Sequence, residues 1–211
     1  MMVIKPQVGD PLSADFATGW NKLPVELKMQ ILSYSLTIKK DFTVMPTPRM
    51  VYFTEYFRYL RMTTEIAEIS KKVFYTENTF RCYYEHLRSP TKQYSFQYPN
   101  PTINSFIRHV EVTVSLRGPA KFLRKLADGD YGFAKLQTAK VTLDWKVSCI
   151  NAPFKFERWS PELKREWGER IKFRCKGELC FANEDYVSWS PPDELRKAGG
   201  FFTDHIIFKG S

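Results

Sequence analysis

The stretch Ile107 to Leu116 restricts the fold more than any other, because Val110, Val112, Val114 and Leu116 alternate with Glu111, Thr113 and Ser115. Successive side chains of a strand point to opposite faces, so this pattern buries one face of a β-strand and cannot gather its apolar residues on one side of a helix. A second alternating run, Val141-Thr-Leu143-Asp-Trp145, follows it. Between the two, Pro119 is suited to open a helix, Phe122, Leu123 and Leu126 fall on its inner side, and Gly129 after Asp128 supplies a stop. Strand, short helix and strand in such close succession predict a right-handed βαβ unit with parallel strands.

The rest of the chain alternates helical and extended patterns. Pro24 can occupy a first helical position, and Leu27, Ile31 and Leu32 then recur at helical spacing, with the helix ending near Thr37. Phe53, Tyr56, Phe57 and Leu60 predict a second helix over Met50 to Met62. Ile66, Ile69 and Val73 predict a third, capped at Thr64 and finished by Thr76-Glu77-Asn78. Thr79 to Tyr84 reads as a short strand, and Pro90, Pro99 and Pro101 mark the following segment as a loop.

Further on, Ser160-Pro161-Glu162 predicts the start of a long helix with Leu163, Trp167 and Ile171 as its buried stripe and Gly177 as its end. Near the C-terminus a helical turn is expected over Glu194 to Ala198, a break at Gly199-Gly200, and a final strand from Phe201 to Phe208. The expected class is α+β, with an irregular arm over residues 1–20, a helical module over 21–78 and an α/β region over 79–209 that holds a small mixed sheet.

Function classes narrow by what the residues do not form. Met1 to Thr18 has no apolar run of signal-peptide length, and no segment approaches roughly 18 uninterrupted apolar residues, so a soluble intracellular protein, cytoplasmic or nuclear, is expected. Cys82, Cys149, Cys175 and Cys180 suit reduced thiols, since only the last two lie close together. His86, His109 and His205 are scattered without metal-ligand spacing.

Phosphate loops, nucleophile elbows and zinc-protease motifs are absent, and turn chemistry accounts for Asp128 and Asp130. The expectation is a non-enzyme with no cofactor and no metal. The formal charge of +9 and the aromatics Tyr83, Tyr84, Tyr94, Phe96 and Tyr98 near Arg81, Arg88 and Lys92 leave a basic nucleic-acid-binding module as an alternative.

One motif speaks to a partner. Leu23-Pro24-Val25-Glu26-Leu27, followed by Ile31-Leu32-Ser33-Tyr34 and Leu36, resembles the opening of an F-box. Val73-Phe-Tyr-Thr-Glu-Asn-Thr-Phe80 resembles the segment that follows the F-box in many F-box-like proteins of fungi. The resemblance implies that Leu23, Pro24, Leu27, Ile31, Leu32 and Leu36 face the Skp adaptor of an SCF ubiquitin ligase, while the downstream region presents a protein substrate. An apolar helical stripe also serves to pack a chain's own core, so the sequence leaves two readings of this helix. A stand-alone interaction domain with no ubiquitin-ligase role is the form the second reading takes.

Overall fold

The computed structural model describes residues 14–37, 52–84, 101–116, 118–144, 155–182 and 192–210. They form two compact units, a helical one that closes at Asn78 and an α/β one that runs from Thr79. No described helix is long and apolar enough to cross a membrane.

The helical unit contains α1 (Ala14–Lys22), α2 (Val25–Leu36), α3 (Tyr52–Leu60) and α4 (Thr64–Glu77). Its centre is aromatic: the Tyr56 ring stacks on Phe74 at 4.3 Å and meets Tyr75 edge-on at 5.9 Å. Ile66, Val73 and Phe74 of α4 are buried around them. Thr63 caps α4 by accepting the Ile66 N–H at 3.2 Å, one residue before the expected cap. Asn78, 2% exposed, donates its amide to the carbonyls of Leu36 and Phe74, both at 2.8 Å. One side chain thereby satisfies carbonyls near the ends of α2 and α4 that helix geometry leaves over.

The irregular arm expected over residues 1–20 is corrected at its end, because Ala14–Lys22 is helical. Phe16 and Trp20 lie one turn apart with their rings stacked at 5.9 Å, and Asp15 and Lys22 sit at the termini that the helix dipole favours for each charge. The rest of the expected arm, residues 1–13, lies outside the described residues, as do the prolines at 46, 48, 90 and 99.

The α/β unit carries β1 (Thr79–Tyr84), α5 (Pro101–Asn104), β2 (His109–Ser115), α6 (Ala120–Asp128), β3 (Thr138–Asp144), α7 (Phe156–Trp167), β4 (Ile171–Phe173), β5 (Lys176–Ala182), α8 (Pro192–His205) and β6 (Ile206–Phe208). A four-stranded sheet has the order β1-β2-β3-β5, and β4 pairs with β6 in a second, two-stranded sheet. Every pairing among the described residues is parallel, so the sheet they form is parallel where a mixed one was expected. The βαβ unit is present as β2-α6-β3, in the register Val110↔Ala139, Val112↔Val141 and Val114↔Leu143.

Those six residues are almost wholly buried, and Phe122, Leu123 and Leu126 of α6 are buried too. The alternation in the sequence is thus an alternation of burial. Gly129 ends α6 at φ 84, in the left-handed region that a side chain disfavours. The other face of the sheet carries Glu111, Lys140 and Glu178 in one row, with Lys140 and Glu178 paired at 2.9 Å.

Three expectations fail between 155 and 208. The long helix starts at Phe156, so Pro161 lies inside it and withholds a hydrogen bond from the Glu157 carbonyl, to which the Ser160 hydroxyl donates at 3.4 Å. It ends at Trp167 rather than Gly177, and Ile171 is buried on β4, not on the helix. Gly177 lies in β5, where a Cβ would collide with the Ala139 carbonyl and the Phe208 ring; glycine is there for close approach, not for a helix end. Finally, α8 runs through Gly199-Gly200 to His205, leaving only Ile206–Phe208 as strand. Gly199 faces the Phe181 ring at 3.8 Å from where its Cβ would stand.

Candidate functional site

Helix α2 starts because Leu23-Pro24 cannot continue α1. Pro24 holds φ −58 and ψ 152 at the N-cap, and its carbonyl accepts the Lys28 N–H at 3.1 Å. Pro24 therefore stands one residue before the first helical position instead of on it.

The two sides of α2 differ in an unexpected way. Its buried residues are Lys28, Leu32 and Leu36, spaced by four, at 6%, 2% and 3% exposure. Val25, Leu27, Ile31 and Tyr34 are exposed instead, Leu27 at 45% and Ile31 at 47%. The helix thus turns a lysine inward and a strip of large apolar side chains outward.

Lys28 is tolerated inside because its charge is matched. Its ammonium donates to Glu65 Oε1 at 2.7 Å and stands 5.6 Å from the centre of the Trp20 ring. The Trp20 indole N–H donates to Glu65 Oε2 at 2.9 Å. The lysine first and the indole second hold the Glu65 carboxyl below the ordinary glutamate range. One carboxylate on α4 thereby ties down α1 and α2, which is what allows Leu27 and Ile31 to remain outside.

Four of the six residues that the F-box resemblance assigns to the adaptor reach the surface: Pro24, Leu27 and Ile31 are exposed and Leu23 partly so. Leu32 and Leu36 do not. Their side chains pack into the helical unit, so they are corrected from adaptor-facing to core, each lying one turn from Lys28 or from the other. Val25 and Tyr34, motif residues that the resemblance does not assign to the adaptor, are exposed apolar neighbours on α2, with Phe16 and Phe57 also exposed in the same unit.

No family model, curated protein or solved structure matches the chain.

Only some of the remaining sequence candidates fall among the described residues. Among the described residues no three His, Cys, Asp or Glu side chains are grouped to hold a metal ion. His109 Nδ1 lies 2.7 Å from the Thr138 hydroxyl, and His205 Nδ1 lies 2.7 Å from the Phe201 carbonyl. Burial pushes the thiols of Cys175 and Cys180 above the ordinary cysteine range, which opposes a nucleophilic thiolate at neutral pH. His86, Cys149, Tyr94, Phe96, Tyr98, Arg88 and Lys92 lie outside the described residues, as do the side chains of Arg81, Cys82, Tyr83 and Tyr84.

Lys28 is the residue the sequence concealed. A lone lysine in an amphipathic helix ordinarily marks the wet side. Its spacing of four from Leu32 and eight from Leu36 was the available signal, legible only with Glu65 as its partner.

Proposed function

We propose that this protein is a non-catalytic F-box-like adaptor, in which α2 docks an Skp-type adaptor of an SCF ubiquitin ligase and the α/β unit presents a protein substrate. The reading places it in the cytoplasm or nucleus. The observation that carries it is the exposed strip of α2, because a helix whose own core is already filled by Leu32 and Leu36 still offers Leu27 and Ile31 to a groove. Burying two such half-exposed side chains contributes about 1 kcal/mol each, with Leu23, Pro24 and Val25 extending the contact.

The test is binding of the purified chain to an Skp-type adaptor, compared with a variant carrying Leu27→Asp and Ile31→Asp whose helicity is checked by circular dichroism. Binding by the wild type and its loss in the folded variant support the reading. A wild type that does not bind, or a variant that binds as well, removes it. The charge of +9 favours a basic nucleic-acid-binding module as the second reading, and a steep fall of nucleic-acid affinity with salt identifies that case.

A further inference from the structure

Residues 170–176, Arg-Ile-Lys-Phe-Arg-Cys-Lys, carry four cations and no acid. Ile171, Phe173 and Cys175 are buried while Arg170, Lys172, Arg174 and Lys176 are exposed, so the alternation sets the charges along the outside of β4 and of the turn that leads into β5. Strand β6 extends the run. Ile207 stands beside Lys172 in register, and the Lys209 N–H donates to the Cys175 carbonyl at 3.0 Å, which brings a fifth exposed cation alongside.

Among the described residues, none of these five side chains is hydrogen-bonded or ion-paired. Of the acids that flank the run in the chain, Glu166 is held by the Gly118 and Ala120 N–H groups and Glu178 by Lys140, which leaves Glu169. Like charges this close repel one another, and the fold supplies nothing to offset it. A lone lysine guards an edge strand against aggregation, but that use does not call for four cations in seven residues.

The surroundings of the run point to its ligand. Every large apolar side chain that is exposed among the described residues belongs to the helical unit, so the run has no exposed ring to stack a base and no apolar anchor. A protein partner draws most of its affinity from such anchors, and a membrane-bound segment from apolar insertion. A nucleic-acid backbone needs neither, because the counterions it releases supply the binding. Alternate residues of an extended chain stand about 6.6 Å apart, a spacing comparable to that of successive phosphates along a single strand.

We propose that residues 170–176, with Lys209, bind the sugar–phosphate backbone of single-stranded nucleic acid irrespective of its base sequence. The charge of +9 belongs to the whole chain and names no site, whereas this run does. It lies in the α/β unit and does not rest on the adaptor reading of α2.

Binding of the full chain to labelled oligothymidylate, followed by fluorescence anisotropy, should saturate, with log affinity falling against log salt at a slope of about −3, from four contacts at about 0.7 each. Lys172→Gln with Arg174→Gln should weaken binding about 25-fold at about 0.1 M salt, about fivefold for each contact, and flatten the slope by about 1.4. Lys22→Gln with Lys72→Gln removes the same charge from exposed positions of the helical unit and should change affinity by less than about twofold. All four positions are exposed, so circular dichroism of both variants should match the wild type. Oligodeoxyadenylate should bind comparably to oligothymidylate. No saturable binding, a wild-type slope flatter than about −1.5, equal losses in the two double variants, or a strong preference for one base would each overturn the proposal. Polyglutamate that displaces the oligonucleotide at equal charge would overturn it as well, and would assign the run to an acidic protein segment.

Discussion

Pro119, the N-cap of helix α6, has no side-chain group to cap it, and the N–H groups on either side of it are satisfied from elsewhere in the chain. Glu166, in the last turn of α7, accepts from the Gly118 N–H at 2.9 Å and the Ala120 N–H at 3.2 Å. In return Arg124 of α6 donates to the carbonyls of Glu166 and Trp167 at the end of α7. Each helix caps the other. Glu166→Ala should therefore destabilise the α/β unit by about 2 kcal/mol, about 1 for each charge-assisted hydrogen bond after allowance for their partial exposure, with a few tenths from the dipole. Glu166→Gln keeps one acceptor oxygen and loses the charge, so about 1 kcal/mol is expected. Urea unfolding followed by tryptophan fluorescence measures both, and thermal midpoints should fall by about 4–8 °C for the alanine variant. Because Arg124 and Glu166 hold the same pair of helices, Arg124→Ala and Glu166→Ala together should cost less than their sum by at least about 0.5 kcal/mol. An alanine variant within about 0.3 kcal/mol of wild type, or strict additivity in the pair, would refute the reciprocal capping.

The two sides of α2 predict opposite outcomes: Leu32→Ala, at 2% exposure, should lose about 2–4 kcal/mol in urea unfolding, whereas Leu27→Asp, at 45%, should lose less than about 1. Since the Glu65 carboxyl is held below its ordinary range, its contribution is full above that range and fades as pH falls through the lowered value. The stability difference between wild type and Glu65→Gln, from unfolding curves at stepped pH, should therefore be largest near neutrality and vanish in acid; a difference that persists there would contradict the Lys28–Trp20 grip. The two glycines should diverge as well. Gly177→Ala, colliding with the Ala139 carbonyl and the Phe208 ring, should destabilise by about 1–3 kcal/mol, while Gly19→Ala in α1, where a Cβ would meet no atom within 4 Å, should be neutral or stabilising by up to about 1, both read from thermal midpoints.

What could be read in advance was whatever one stretch of chain decides by itself. Val110, Val112 and Val114 declare a strand because burial on one face has a period of two, and Gly129 closes α6 through its own backbone freedom. Strand β5 was not legible, since Lys176-Gly177-Glu178 offers little apolar alternation; its place is set by the register with β3 and by Phe208 packing on Gly177. The helix through Gly199-Gly200 is likewise a tertiary result, with Phe202 and Ala198 fully buried on either side of the pair. On α2, the spacing of Leu27 and Ile31 identified a coherent strip but not its direction. Glu65, far along the chain, decided which side of α2 turned inward.

The order β1-β2-β3-β5 bears on how the protein is made. Each strand of the large sheet hydrogen-bonds to the preceding strand of that sheet, so during synthesis a partner is already present when every new strand emerges. No gap has to be held open for a late arrival, as in doubly wound sheets whose later strands insert beside the first. The ladder grows by addition at one edge, and each step closes a loop of moderate length. Once Asp144 has cleared the ribosome the chain already carries β1, β2 and β3 in ladder order, and only β5 remains to be laid down.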